Sequence, residues 1–273
     1  MPAHTLPTVS LFKAASTVSL LTLASRITGL VRDLLMASMF GANALTDAFN
    51  VAFRIPNLFR RLFAEGAFSQ AFVPVLAASK AKEGDEATRT LISHVATLLF
   101  WVLLVTCVLG VVGAPLLVWL LASGLRQSPE GYDAAVLMTR WMFPYIGFMS
   151  LVALSAGVLN TWRRFAVSAA TPVLLNLAMI AAAFWGAPWL QARGIEPIYA
   201  MAGGVMLGGV LQLAVQLPAL ARLGLLPRIG FSPAALREAW AEAGVRRILK
   251  LMAPALLGGG AVSYTHLTLP TIC

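Results

Sequence analysis

Charge is scarce in this chain. Aspartate and glutamate together supply 11 of 273 residues, lysine and arginine 20, and all charged residues only 11%. A soluble domain carries about 25% charged and about 45–50% apolar residues. Here 59% are hydrophobic and the mean hydropathy is +0.81, a composition that cannot clothe a soluble surface and that identifies an integral membrane protein. Cysteine is nearly missing: Cys107 lies in an apolar run and Cys273 is the last residue, which excludes a disulfide framework. His4, His94 and His266 are scattered without metal-ligand spacing, so no zinc site, other metal or cofactor is expected. A phosphate-binding glycine loop, a paired-histidine motif and a nucleophile elbow are all lacking, and an enzyme is the least favoured reading.

The charges that are present have a pattern. The net charge is +9, but its distribution argues against a nucleic-acid partner. Lys13, Lys80, Lys82, Arg89, Arg163, Arg164, Arg222, Arg228, Arg237, Arg246, Arg247 and Lys250 fall in alternate connections between apolar segments. The intervening connections hold only Arg126, Arg140 and Arg193. This positive-inside asymmetry places the N-terminus in the cytoplasm. Lys13 to Ala24 is not read as a signal peptide, because Arg26 follows without a small-residue cleavage pattern.

An all-α, polytopic transmembrane bundle is expected: a six-helix lobe plus the start of a seventh helix. A spanning helix needs about 20 apolar residues. The six spans are placed near Ala15–Phe40, Leu45–Ser79, Leu91–Leu121, Ala134–Leu159, Val167–Trp185 and Ile198–Leu220. Together they make an N-terminal lobe over 1–221. The second is too long for one straight span and reads as a helix broken at Pro56 and Gly66. Lys80–Arg89 reads as a solvated loop, Ser123–Asp133 and Gly186–Pro197 as loops on the other side. Residues 222–247 form a connection in which Ser232-Pro233 starts an amphipathic surface helix bearing Leu236, Trp240 and Val245. Residues 248–261 begin helix seven. The glycine pairs Gly203-Gly204 and Gly208-Gly209 are read as close-packing positions.

Within the first two spans stand charges that a bilayer penalises unless they face a cavity or a partner. Positions seven apart nearly eclipse on a helix, so Arg26, Gly29 and Asp33 share one face, and Asp47, Arg54, Arg61 and Glu65 share another with Asn57; Arg60 lies one step aside. Two helices joined by the Gly41-Ala42-Asn43 turn can point these faces at each other. Arg26, Arg32, Arg54, Arg60 and Arg61 outnumber Asp33, Asp47 and Glu65, leaving guanidinium groups for an anion such as a phosphate. Buried salt bridges that only fix helix register, and snorkelling of Arg60 or Arg61 to an interface, are the competing readings.

The runs Ser25-Arg26-Ile27-Thr28-Gly29-Leu30-Val31-Arg32-Asp33, Phe40-Gly41-Ala42, Thr46-Asp47-Ala48-Phe49 and FRIPNLFRRLFAEGAFSQAFVP over 53–74 carry a resemblance. Asn160-Thr161-Trp162, Phe165, Pro172, Leu174-Leu175-Asn176, residues 208–213 and Gln216-Leu217-Pro218 extend it from Ala14 to Gly258. The chain resembles the MurJ (formerly MviN) family of lipid II flippases, in the multidrug/oligosaccharidyl-lipid/polysaccharide exporter superfamily. The resemblance implies two six-helix lobes around a central cavity plus two C-terminal helices, of which this chain holds the first lobe. It implies the cargo lipid II, an undecaprenyl-diphosphate bearing the peptidoglycan disaccharide-pentapeptide. The cargo is moved to the outer leaflet of the bacterial cytoplasmic (inner) membrane by alternating access driven by membrane potential. It matches Arg26, Arg32, Asp33, Arg60 and Arg61 to family cavity residues, and Ser25, Asp47 and Glu65 to further polar positions. Arg54 departs, standing where relatives carry lysine. Membrane lipids and the absent C-terminal lobe are the other implied partners.

Two alternatives remain open. A flippase for another polyprenyl-diphosphate oligosaccharide shares the same electrostatics. A non-transporting scaffold would seal its charge pairs inside the bundle with no cavity. Residues 262–273 break from the apolar run before them, and Val262 to Thr271 resemble the translation of a sequencing-library adapter. The natural protein is therefore expected to continue beyond Ala261, with a genuine polar C-terminus as the competing reading.

Overall fold

A computed structural model of the chain describes residues 11–60, 68–122, 124, 125 and 128–254, and for residues 11–14, 59 and 60 the backbone only. Among the described residues the fold is all-α, a bundle of helices joined by tight turns. Helix α1 spans Leu11–Phe40. It stops at Gly41, whose φ of 65° only glycine adopts freely, and Asn43 Oδ1 accepts from the Thr46 amide at 2.9 Å to open α2, Ala44–Arg60. The glycine stop and asparagine cap explain the turn expected here.

The broken second span is corrected in detail. Helix α2 runs unbroken through Pro56 to Arg60, and α3, Ser69–Lys82, contains Pro74. A proline costs a helix one donor but need not end it. Arg61, Glu65 and Gly66 lie outside the described residues. The solvated loop expected at Lys80–Arg89 is also corrected. Helix α4, Gly84–Val112, follows α3 after Glu83 alone. Gly84 turns the chain at φ 86°, with Lys80 and Lys82 in the last turn of α3 and Asp85 and Glu86 in the first turn of α4. Those charges complement the two helix dipoles, so charge here closes helices instead of marking a loop.

The third span divides at Gly113 into α4 and the short α5, Ala114–Leu121. Ser128 then caps α6, Pro129–Met142, inside the stretch expected to be loop, and α7, Tyr145–Thr161, continues it past Pro144. Helix α8, Phe165–Ala181, passes through a π-helical turn at Ala182–Gly186 into α9, Ala187–Gln191, beyond the expected end at Trp185. Helix α10 spans Tyr199–Arg222. The Ser232 hydroxyl accepts from the Ala235 amide and opens α11, Pro233–Ala241, as expected from the sequence. A further helix, α12, covers residues 243–254. It begins a little earlier than expected, and the remainder of the seventh segment and the tail lie outside the described residues.

Among the described residues, four helices are long and apolar enough to cross a membrane: Gly84–Val112, Pro129–Thr161, Phe165–Gln191 and Tyr199–Arg222. The charged α1 and the α2–α3 pair are not among them. Two apolar cores hold the bundle. One joins Phe49, Ile55, Met138, Tyr145 and Met201; the other joins Phe72, Leu76, Ile92, Leu159 and Val245. Helix α8 is central, packed between α1 and α10, while α2 packs on α6. Helices α1 and α2 scarcely touch each other directly and face one another across a cavity. The outer surface is apolar where lipid would lie, with Leu20, Leu30, Leu109, Val112 and Leu116 exposed.

Candidate functional site

Cavities open on both sides of Arg32. One cavity, of about 580 Å³, opens between α1, α3, α7, α8 and α10, and its lining includes Ser25, Gly29, Arg32, Asn160, Asn176 and Gln212. A second, of about 600 Å³, lies between α1, α2 and α8, lined by Arg32, Asp33, Thr46, Asp47, Asn50 and Phe53 among others. Arg32 is common to both.

Helical geometry explains why. Ser25, Gly29, Arg32 and Met36 follow one another by three or four residues and form a stripe turned towards α8. Ser25 and Gly29 are small enough for α8 to approach, and a Cβ on Gly29 would stand 3.4 Å from Asn176 Nδ2. Arg32 donates from Nε and Nη2 to one carboxylate oxygen of its neighbour Asp33, at 2.9 and 2.7 Å, and from Nη1 to Asn176 Oδ1 at 2.9 Å. Its side chain is 21% exposed, that of Asp33 64%. A half-buried guanidinium needs such partners to offset lost hydration.

Asn176 and Gln212 stand in the sequence motifs but had no role assigned from sequence alone. The signal was available: both are amides buried in otherwise apolar helices. Asn176 Nδ2 donates to the Ser25 carbonyl at 2.9 Å and to Thr28 Oγ1 at 3.2 Å, tying α8 to α1. Gln212 Nε2 donates to the Thr171 carbonyl at 2.8 Å, tying α10 to α8. Pro172 interrupts the ladder of α8 beside it, and Thr171 Oγ1 donates at 2.8 Å to the Ser168 carbonyl, which Pro172 leaves without its usual amide. Ser168 in turn donates to Asn160 Oδ1 at 2.7 Å. The first cavity thus sets neutral hydrogen-bonding groups among apolar ones such as Val73, Met149 and Leu175, with one cation at its edge.

The other expected site residues are placed less uniformly. Ser25 lines the first cavity, and Asp33 and Asp47 line the second. Arg26 and Arg54 are exposed, lie outside both linings, and pair with no carboxylate among the described residues. The expected face through Arg26 and Asp33 is thus one residue off the stripe that reaches α8. Asn57 is half-buried. Arg60 ends α2, but its side chain, like Arg61 and Glu65, lies outside the described residues. Acid–base pairing across two facing helices is not found among the described residues. The pair that forms in this cluster, Arg32 with Asp33, lies within α1.

Comparison with known proteins gives the same direction throughout. A family profile described as lipid II flippase MurJ matches residues 36–271. A Burkholderia cenocepacia protein named lipid II flippase MurJ is 51% identical over 261 residues, covering 96% of this chain and 49% of that protein. A Haemophilus influenzae protein named probable lipid II flippase MurJ is 42% identical over 259 residues, covering 92% and 48% respectively. The chain spans about half the length of the curated relatives it matches. A solved lipid II flippase MurJ in an inward closed conformation superposes with a TM-score of 0.69 at 26% identity, over 89% of this chain and 47% of the other. A MOP superfamily transporter from Pyrococcus furiosus gives 0.67 at 13% identity over 93% and 54%, a likeness of fold alone.

Proposed function

The chain belongs to the MurJ family of lipid II flippases, and from that premise we propose that it is the N-terminal lobe of a longer flippase. The cargo is undecaprenyl-diphosphate carrying the peptidoglycan disaccharide-pentapeptide. It passes from the cytoplasmic to the outer leaflet of the bacterial inner membrane by alternating access between this lobe and a second one. No covalent chemistry is involved, so the protein is a transporter and not an enzyme.

The observation that carries the reading is Arg32: a half-buried cation shared by two cavities, held by Asp33 and Asn176. Each of its terminal nitrogens bears two hydrogens, and among the described residues only one on each is used. The remaining pair fits a phosphate, which arginine grips through parallel N–H bonds while staying protonated in a poorly hydrated site. We infer that Arg26 and Arg54, exposed outside the two linings, extend with Arg60 and Arg61 the cationic set that receives the diphosphate. Ser25, Asp33, Asp47, Asn57 and Glu65 orient that set and limit its repulsion. Asn160, Ser168 and Gln212 suit the uncharged amides and hydroxyls of a sugar and peptide headgroup.

Orientation follows from the basic connections. Lys80, Lys82, Arg163, Arg164 and Arg222 lie at helix ends and turns that belong to one end of the bundle, which we assign to the cytoplasm together with the N-terminus. The boundaries proposed for the chain are 1–221 for the lobe, 222–247 for the connection and 248–261 for the start of helix seven, with 262–273 foreign.

The test is complementation of a flippase-depleted strain by the full-length protein. Arg32→Ala, Arg26→Ala and Arg61→Ala are each expected to abolish growth while the protein still reaches the membrane, and Arg→Lys to restore it only in part, because an ammonium cannot fork. Normal growth of the alanine variants would refute the assigned roles.

A further inference from the structure

Asn176 is buried, 6% exposed, in α8, and its side-chain oxygen and nitrogen both have partners on α1. Chemistry fixes which way the amide points. Arginine can only donate, so Oδ1 must face Arg32; the Ser25 carbonyl can only accept, so Nδ2 must face Ser25. The second Nδ2 hydrogen reaches Thr28 Oγ1. Three groups on α1, spaced over two turns, are thus read by one side chain on α8. Asp33, itself exposed, holds the Nε edge of the same guanidinium, and the Asn176 oxygen is its anchor on a second helix.

We propose that Asn176 is a positioning residue for cargo recognition. It anchors Arg32 so that its unused N–H hydrogens stand at the junction of the two cavities before the diphosphate arrives. The inference rests on the proposed flippase reading and adds a residue to it. Anchoring in advance matters because a free arginine side chain loses rotamer entropy when it is fixed on binding, and a site ordered beforehand avoids most of that loss. Asparagine is suited to this role. It accepts from the cation without neutralising it, which aspartate would do, and its amide still satisfies the Ser25 carbonyl, which leucine would not.

The experiment is a double-mutant cycle on the full-length protein, reading the affinity for undecaprenyl diphosphate in detergent. Arg32→Ala and Asn176→Leu are each expected to weaken binding by about tenfold. In the Arg32→Ala background, Asn176→Leu should then change the affinity by less than about twofold, because the group it positions is gone. A merely structural role for Asn176 predicts the same fold-loss in both backgrounds, and that outcome overturns the inference. So does an Asn176→Leu protein that binds normally. If Asn176→Leu does not reach the membrane, Asn176→Ala replaces it, and failure of both assigns the residue to folding and likewise overturns the proposal. Undiminished binding by Arg32→Ala would instead overturn the flippase site itself, so the two failures are distinguishable.

Discussion

Lys80 on α3 lies over the ring of Trp162 at the end of α7, its ammonium nitrogen 4.0 Å from the ring centroid, and donates to the Thr161 carbonyl at 3.4 Å. This contact gathers two basic connections at one end of the bundle. A third joins them, since the Arg89 guanidinium stands 3.1 Å from where a Cβ on Gly224 would be. Arg193, by contrast, stacks 3.6 Å from the Trp189 ring in the turn that links α9 to α10, at the other end of those spans. Single cysteines at Arg163 and Arg228, in a cysteine-free background, should therefore react with a membrane-impermeant thiol reagent only in inside-out vesicles. One at Arg193 should react only in intact spheroplasts. The reverse labelling would invert the proposed topology.

The glycines of α10 are not equivalent, although the sequence presents them as two similar pairs. A Cβ on Gly208 would stand 2.6 Å from Leu175 Cδ1 and 3.1 Å from the Leu175 Cα, and one on Gly204 would stand 2.7 Å from the Ala182 Cβ. A Cβ on Gly203 would meet nothing within 4 Å. Gly208→Val is expected to cost about 1–3 kcal/mol by overpacking the α8–α10 contact, while Gly203→Ala should be neutral or gain up to about 1 kcal/mol from helix propensity. Thermal denaturation of the purified full-length variants checks both signs.

Ser232 caps α11 through its hydroxyl, which accepts from the Ala235 amide at 3.1 Å. Ser232→Ala should destabilise that surface helix by about 1 kcal/mol. Hydrogen exchange at the amides of 235–241 should then accelerate, with the protection of α10 unchanged. Equal exchange in both proteins would show that packing on α4, not the cap, holds the helix.

What is legible in the sequence follows from which physics is local. The Gly41–Asn43 turn and the Ser232 cap depend on neighbours within a few residues and stand where expected. The apolar spans depend on composition, and four of the six expected correspond to helices long and apolar enough to cross a membrane among the described residues. The errors are of a different kind. Pro56 is an emphatic local signal, yet α2 continues through it, because packing on α6 outweighs one lost hydrogen bond. The charges of Lys80–Arg89 read as a loop because charge favours water, whereas here they complement two abutting helix ends. Arg32 stands out in the sequence as a charge out of place, but its partner Asn176 lies 144 residues away. Nothing local says which of the helices α1 meets, and hence which of its faces becomes a cavity wall. The eclipsed face through Arg26, Gly29 and Asp33 overlaps the observed stripe at Gly29 and brings Asp33 to the second cavity. Helix α8 takes the neighbouring side bearing Ser25, Gly29 and Arg32, which leaves Arg26 outside both linings.

If this lobe recognises the diphosphate of a polyprenyl lipid through Arg32, the guanidinium should distinguish a charged lipid from its uncharged alcohol. The deciding measurement compares the affinity of the full-length protein for undecaprenyl diphosphate with that for undecaprenol, in the parent and in Arg32→Ala. The parent should prefer the diphosphate by at least about tenfold, as a charged hydrogen bond implies. The substitution should remove most of that preference while leaving undecaprenol binding unchanged. Equal affinity of the parent for the two lipids, or a preference that survives Arg32→Ala intact, would contradict recognition through Arg32.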